Sequence, residues 1–587
     1  MNMLNEPCMA SETTSPSSLL TDNLPLLSGA PNGIQKLREL ILELAVRGKL
    51  VPQDQNDEPA SELLKHIAEE KSRLVAEGII RKQKPLLERQ KEDKPFELPT
   101  GWEWSRLGEI ALINPRNSAP DSTKVSFVPM TLIGTRFDGR HAQEVRTWAE
   151  VKQGFTHFAE GDIGVAKITP CFENSKACVF SDLENSLGAG TTELHIVRPV
   201  GKYLAARYVL AYLKSPQFLL VGETKMTGTA GQKRLPKDFV ESNPFPLPPL
   251  AEQYRIVAKV DELMALCDRL EAQHADAESA HARLVQALLD SLTQASDADD
   301  FAASWQRLAE HFHTLFTTES SIDVLKQTLL QLAVMGKLVP QDPSDEPASE
   351  LLKRVAEEKA RLVATGKIKK QKPLKEITKE EMPFEKPNGW DWVRLEELAQ
   401  LITKGSSPKW QGISYTEDHT DILFVTSENV GRYQLRLDSK KYVERKFNEI
   451  EPRSILSKGD FLMNIVGASI GRTAIFELDL DANINQAVCL IRCVSNLMNS
   501  QFLLYFFNSE TCLSYMFNKQ VDNARANLSM GNIASFVLPI PPLAEQQRIV
   551  AKIDGLVALC DQLKARIGQV QQIQEHLAKA LVEQAVA

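Results

Sequence analysis

AVRGKLVPQD occupies Ala45–Asp54, and 288 residues later AVMGKLVPQD occupies Ala333–Asp342. The register holds on either side. DEPASELLK begins at Asp57 and again at Asp345, and AEEKSRLVA from Ala68 returns as AEEKARLVA from Ala356. Pro95-Phe96 and Gly101-Trp102-Glu103-Trp104 return as Pro383-Phe384 and Gly389-Trp390-Asp391-Trp392. A second block, PPLAEQYRIVAK at Pro248–Lys259, returns as PPLAEQQRIVAK at Pro541–Lys552, now at an offset of 293. The chain therefore reads A–X–B–A′–Y–B′, with a duplicated scaffold around two inserts of equal size and little shared sequence. Two copies at so long a period do not make a solenoid, which stacks many units of 20–50 residues.

The blocks read as different structures. In A, Leu37, Ile41 and Leu44 share one helical face, as do Leu325, Leu329 and Leu332. Glycine at 48 and 336 marks the helix ends. A second helix follows Pro59 or Pro347 and stops near Gly78 or Gly366. In B, Ile256, Val260, Leu263, Cys267 and Leu270 step by 4, 3, 4, 3, the spacing of a coiled-coil seam, and Ile549 through Leu563 repeat it. The seam is expected to run on through His274, His281, Leu284 and Leu288 in one copy, and through Ile567, Val570, Ile573, Leu577 and Leu581 in the other. About 40 residues at about 1.5 Å each give a spacer of roughly 60 Å. X and Y carry short β-rich runs broken by Gly, Pro and Asn.

The expected fold class is thus mixed α/β: two globular, mostly-β α/β domains separated by long antiparallel coiled-coil helices, duplicated in tandem with pseudo-two-fold symmetry. The boundaries fall as a flexible tail over 1–32, block A over 33–104, X over 105–247, and B over 248–295. A linker helix spans 296–321, A′ 322–392, Y 393–540 and B′ 541–587. The Ser-, Thr- and Pro-rich start lacks the basic and apolar regions of a signal peptide.

Composition narrows the function. At 587 residues, 43% hydrophobic and 25% charged, the chain has the make-up of a multidomain globular protein. No apolar run approaches the roughly 20 residues of a membrane span. The eight cysteines form no CxxC pair and read as reduced cytosolic thiols, not as a disulfide framework or zinc site. The net charge of −9 argues mildly against nucleic acid, but the charge is uneven: Ser105–Leu247 holds 17 Lys and Arg against 14 Asp and Glu, and Val393–Ile540 holds 15 against 16. Phosphate contact needs only a local basic patch. There is no GxxxxGK[ST] and no GxGxxG, no [DN]PP[YF] methylation motif (Asn114-Pro115-Arg116 only begins like one), and no convincing nuclease carboxylate cluster.

Two variable domains between repeated helical blocks, with PPLAEQ-x-RIVAK and G-W-x-W at the junctions, resemble the specificity subunits of type I restriction-modification enzymes. The GKLVPQ element points to one branch of that family. The resemblance covers nearly the whole chain beyond the first thirty residues. It implies that X and Y are target recognition domains, each reading half of a bipartite, asymmetric site in double-stranded DNA. It implies as partners two methylation subunits and two restriction/translocase subunits. S-adenosylmethionine, ATP and Mg2+ belong to those partners, with no cofactor or catalysis in this chain, and the setting is cytoplasmic. Two half-sites about one turn apart need a spacer of order 34 Å, within reach of the B helices. The rival readings are a self-contained methyltransferase or nuclease, which would bind S-adenosylmethionine alone, and a coiled-coil scaffold with no DNA role, which would not need two divergent modules.

Candidate DNA contacts follow. Gly161-Asp162 aligns with Gly459-Asp460, leading into Ile168–Phe180 and Ile465–Phe476. These segments offer Lys167, Thr169, Asn174 and Lys176 in X, and Arg472 in Y. Asn174 has the donor–acceptor pair that matches adenine, and Arg472 suits guanine or phosphate; the bland alternative is a tight turn with a surface cation. The basic loop from Gly228 gives Thr229, Gln232, Lys233 and Arg234. Its counterpart is Asn523–Ser529, with Arg525 and Asn527. Lys404, Ser407 and Lys409 form a similar loop beside Trp410. A solvated loop is the alternative for all three. Trp102, Trp104, Trp390 and Trp392 lie in repeated segments and read as packing, as does His195.

Overall fold

The computed structural model describes residues 24–80, 94–229, 231–296, 298–370, 374–494, 497–518 and 527–586. The chain divides into two compact units, Met1–Ala277 with Gln569–Ala587, and Glu278–Gly568. The long helices Leu250–Thr293 and Leu543–Val586 each contribute to both units. Each unit takes the start of one helix and the end of the other, the division that antiparallel helices produce.

In unit 1 the scaffold helices are Gly33–Val46 and Ala60–Ala76. The first ends at Gly48, whose φ of +70° is the left-handed conformation that closes a helix without a Cβ clash. A Cβ there would also lie 2.4 Å from Pro99 and 3.0 Å from Trp102. The glycine of GKLVPQ thus makes room for the tryptophan of GWEW. Gly336 repeats this, 2.5 Å from Pro387 and 3.0 Å from Trp390. The helix Leu24–Gly29 packs Leu27 into the unit 1 core. This corrects the tail expected over 1–32: residues 24–32 are folded, because Leu24 and Leu27 supply an apolar face, while 1–23 lie outside the described residues.

The repeated motifs meet at one clamp per unit. In unit 1, buried Glu252 of PPLAEQ accepts from Trp102 Nε1 at 3.0 Å and from Gln53 Nε2 at 3.3 Å. Arg255 forks onto Asp57, with its shorter contact at 2.6 Å. Gln253 accepts from the Ala205 amide at 2.8 Å. Unit 2 repeats this with Trp390 to Glu545 at 3.0 Å, Arg548 to Asp345 at 2.6 Å and Asn499 N to Gln546 at 2.9 Å. All four expected packing tryptophans are buried.

X and Y, which share little sequence, have first sheets of one order and second sheets that share three strands, with the fourth strand at opposite edges. X has a sheet in the order Ala111–Ile113, Leu194–Pro199, Ile163–Ala166, Ala177–Val179, and a second in the order Glu144–Thr147, Lys124–Val128, Leu187–Gly190, Thr156–Ala159. Y has Ala399–Lys404, Val488–Cys493, Phe461–Asn464, Thr473–Ile475, and then Tyr415–Thr416, Tyr442–Val443, Ile422–Val425, Ala482–Ile484. Both second sheets contain one parallel pair. In each domain the first two-stranded pairing joins the GWxW strand to the strand before PPLAEQ. Entry and exit of the domain are therefore fastened together beside the clamp.

The long helices keep the expected seam fully as far as Cys267 and Cys560; beyond, Leu288, Leu563, Ile567 and Leu581 still pack as expected, but the other positions shift. Leu284 is 53% exposed, and Ile573 and Leu577 are 59% and 48% exposed. The buried positions are Val285, Leu289 and Leu292 in one helix and Ala578 and Ala585 in the other. Val285 follows Cys267 by 18 residues, as Ala578 follows Cys560. Five turns of a straight helix are about 18 residues, whereas a strict heptad would return one residue earlier. Residues 271–280 are exposed throughout, so nothing there holds the 3.5-residue repeat.

Candidate nucleic-acid interface

In X the strand Ile163–Ala166 delivers the chain into the loop 167–176, and Asp162 fixes its start. The Asp162 carboxylate accepts from Arg198 at 2.8 and 2.7 Å and from the Ala159 amide at 2.7 Å. In Y, Asp460 accepts from Arg492 at 2.7 and 2.6 Å and from the Ser457 amide at 2.7 Å. The Gly-Asp alignment is therefore a structural equivalence.

The loop 227–234 clasps the loop 167–176. Thr169 N donates to Lys233 O at 3.0 Å, Lys233 N donates to Thr169 Oγ1 at 3.1 Å, and Leu235 N donates to Lys167 O at 2.7 Å. In Y, Leu528 N donates to Ile465 O at 3.0 Å, and Asn527 bridges Val466 as Arg234 bridges Ile168. Asn527 is thus the partner of Arg234, two residues from where the alignment placed it. Arg525 lies outside the described residues.

The predicted contacts separate into free and committed groups. Asn174, Thr229, Gln232, Lys233, Lys404 and Lys409 are exposed, as are Asn527 and Trp410. Ser407, half-buried, precedes the turn Pro408–Gln411, and its carbonyl accepts from Trp410 N at 3.1 Å. Arg234 is held bidentate by Glu193 at 2.9–3.2 Å. Lys176 Nζ donates to the Met130 carbonyl at 3.0 Å, which makes it a strut of the fold. Lys176 and Arg472 are nonetheless equivalent: Ala166 N donates to Lys176 O and Asn464 N to Arg472 O, both at 2.9 Å. Arg472 lines a cavity of about 300 Å³ with Arg432, Gln434 and Arg436, three residues the sequence reading missed.

His195 is buried, as expected, and its hydrogen bonds define its proton. Asn114 Oδ1 accepts from Ile196 N at 2.9 Å, which turns Asn114 Nδ2 toward His195 Nδ1 at 3.2 Å. His195 Nε2 then donates to Leu235 O at 2.9 Å, at the foot of the basic loop. Burial, with Lys167 and Lys237 nearby, pulls its pKa down, and burial also lowers His141 and His157 of the same domain. A folded pKa below the unfolded value of about 6.5 means that unfolded chain takes up more protons as pH falls. Stability is therefore complete above about pH 6.5 and is lost as pH falls through that value toward the folded pKa. Thermal unfolding of unit 1 is expected to shift down between pH 7.5 and 5.5, and His195→Gln to blunt the shift. An unchanged profile in the variant would remove His195 from this account.

A model of the family described as the type I restriction modification DNA specificity domain matches residues 99–277 and 387–572. The specificity subunit of the type I restriction enzyme EcoAI from Escherichia coli is 48% identical over 563 residues, 94% of each chain. The EcoEI specificity subunit, also from Escherichia coli, is 48% identical over 568 residues, again 94% of each. A chain from a solved type I restriction-modification system, 19% identical, shares the fold with a TM-score of 0.50 over 84% of this chain and 99% of its own. With two recognition domains whose first sheets share one strand order on a duplicated clamp, the chain belongs to the specificity subunits of type I restriction-modification systems.

Proposed function

We propose that the chain reads a bipartite, asymmetric duplex DNA target, one half-site per recognition domain, and carries no catalysis of its own. It works in the cytoplasm with two methylation subunits, which methylate adenine N6 from S-adenosylmethionine, and two restriction/translocase subunits, which use ATP and Mg2+. The observation that carries the reading is the pairing of one first-sheet topology, and a shared three-strand core in the second sheet, with two different sets of presented side chains: Asn174, Gln232 and Lys233 in X, Arg472, Asn527 and Lys404 in Y. Equal frameworks with unequal contact residues suit two unlike half-sites, since base edges are distinguished by donor and acceptor pattern. Among the described residues no helix is long and apolar enough to cross a membrane.

The test is to co-express the chain with its methylation subunit and map N6-methyladenine across the host genome. A split motif that depends on the chain is expected, and exchanging residues 105–247 for another recognition domain should change one half only. Assembly of the complex without any split motif would defeat the reading.

A further inference from the structure

We infer that two matching hairpins, Arg136-Phe137-Asp138-Gly139-Arg140 in X and Arg432-Tyr433-Gln434-Leu435-Arg436 in Y, are base-reading elements, with Asp138 and Gln434 setting the base that each prefers. The inference rests on the DNA-reading role proposed above and assigns residues to it.

The two segments share the pattern Arg-aromatic-x-x-Arg at an offset of 296. Each follows the parallel strand of its second sheet, Lys124–Val128 or Ile422–Val425. Each is a hairpin, closed by the antiparallel bridge Ile133 to His141 in one and Val430 to Leu435 in the other. In both, alternate residues face opposite ways around a tight turn, closed by Gly139 N to Arg136 O at 3.4 Å and by Gly431 N to Gln434 O at 3.1 Å. Arg136, Asp138 and Arg140 are exposed while Phe137 and Gly139 are buried; Arg432, Gln434 and Arg436 are exposed while Tyr433 and Leu435 turn inward.

The tips are held rigidly. Gly139, at φ +64°, brings the chain so close to the helix Ala206–Leu213 that a Cβ would lie 2.5 Å from Leu210. Tyr433 adopts φ +69°, a left-handed conformation that bulky residues rarely take and that tends to mark function. Its amide donates to Thr473 O at 2.9 Å, and its ring packs against Tyr505. A buried residue after the helix ties each hairpin to the loop that sequence analysis singled out. Lys214 Nζ donates to Thr135 O at 3.0 Å and Ser175 O at 2.7 Å. Asn508 Nδ2 donates to Thr473 O at 3.0 Å, the carbonyl that also holds Tyr433.

The presented chemistry fits nucleic acid most clearly in Y, where Arg432, Gln434 and Arg436 line a cavity with Arg472. Among the described residues no carboxylate lines that cavity, and no described side chain pairs with its three guanidinium groups. In X, Arg136, Asp138 and Arg140 line a cleft with Asn174 that also carries carboxylates, Glu173 and Asp261 among them, and Arg140 pairs with Asp138 at 3.7 Å. The major groove admits an element as wide as a two-stranded ribbon, and so a single protruding turn. Flanking arginines suit phosphates, which position without specifying. The central residues differ in kind. Asp138, a carboxylate that accepts only, matches the cytosine N4 amino group, and Gln434, which donates and accepts, matches adenine.

The isosteric exchanges Asp138→Asn and Gln434→Glu swap these chemistries without changing shape. Each variant is purified as the complex with its methylation subunits, which reports folding, and its N6-methyladenine motif is mapped. Asp138→Asn is expected to alter one position of one half-site, and Gln434→Glu one position of the other. Discrimination at that position should change roughly five- to 150-fold for Gln434, the range of one bidentate base contact, and less for Asp138, which accepts a single N–H from cytosine. Asp138→Ala and Gln434→Ala, also as complexes, should relax the same positions. Arg432→Ala with Arg436→Ala should weaken duplex binding at every sequence and flatten its salt dependence. Assembled central-residue variants that keep the parental motif with parental discrimination would overturn the inference while leaving the split-site reading intact. A parental complex with no split motif would instead remove the reading beneath it.

Discussion

Trp102→Ala is expected to destabilise unit 1 by about 3–5 kcal/mol, the range for truncating a buried large aromatic. The indole does two jobs. Its ring fills the space that Gly48 leaves open, edge-on to Tyr208 at 6.3 Å between centroids. Its N–H donates to Glu252, a carboxylate 1% exposed whose pKa burial raises. Trp102→Phe keeps most of the ring but leaves one Glu252 oxygen without its donor, an expected cost of about 1–3 kcal/mol. Glu252→Gln, with its side-chain carbonyl toward the indole, should cost less than either. Hydrogen exchange, read separately over the two units, measures all three: protection should fall around residues 45–60, 100–107 and 245–256. Trp390→Ala should give the same loss in unit 2 through Glu545. Equal effects from Trp102→Ala and Trp102→Phe would show that the ring contributes nothing beyond its hydrogen bond.

That clamp explains why the scaffold was so legible. Its residues recur as strings because each string is one part of a shared contact: Gln53 from GKLVPQ and Trp102 from GWEW both donate to Glu252 from PPLAEQ. The recognition domains were less legible for the opposite reason. Their first sheets keep one strand order with different apolar residues, so only fixed points survive in sequence, Asp162 and Asp460 among them. A charge in a loop does not say whether it is free. Lys176 and Arg234 looked like phosphate ligands, yet one braces Met130 O and the other is paired with Glu193. The arginines at 136, 140, 432 and 436 carried a usable signal in their shared spacing, but their offset of 296 matches neither the 288 nor the 293 of the flanking blocks, which hid the match. The helix register slipped because a pattern of 4 and 3 describes a supercoiled seam, and residues 271–280 have no buried neighbour to impose one.

Arg492→Ala is the second large effect expected, about 3–5 kcal/mol, because it strands a buried carboxylate. The side chains of the pair are unequally covered, Arg492 at 30% exposure and Asp460 at 2%. Removing the arginine leaves Asp460 with the Ser457 amide but without a countercharge. Removing the aspartate leaves a guanidinium that still reaches water, Ile455 O and Ser457 Oγ. Asp460→Ala should therefore cost less than Arg492→Ala, despite breaking the same pair. Asp460→Asn, which keeps an acceptor for the Ser457 turn, should cost less again. Unit 1 offers the pH test. Burial already raises the Asp162 pKa, against the pull of Arg198. In Arg198→Ala that pull is gone and the pKa rises further. A raised carboxyl pKa favours the folded state when protonated, so the deficit of Arg198→Ala is full above the folded pKa and shrinks as pH falls below it. Chemical denaturation at pH 7.5 and pH 5, of both the single variants and the Asp162→Asn, Arg198→Ala pair, separates charge from packing. The double variant should lie closer to the parent than Arg198→Ala alone, since it buries no unpaired charge. A double variant as unstable as the sum of the singles would mean that the two groups do not act on each other. The strands they fix lead directly into the loops 167–176 and 465–472, so each arginine variant should also lose recognition of one half-site.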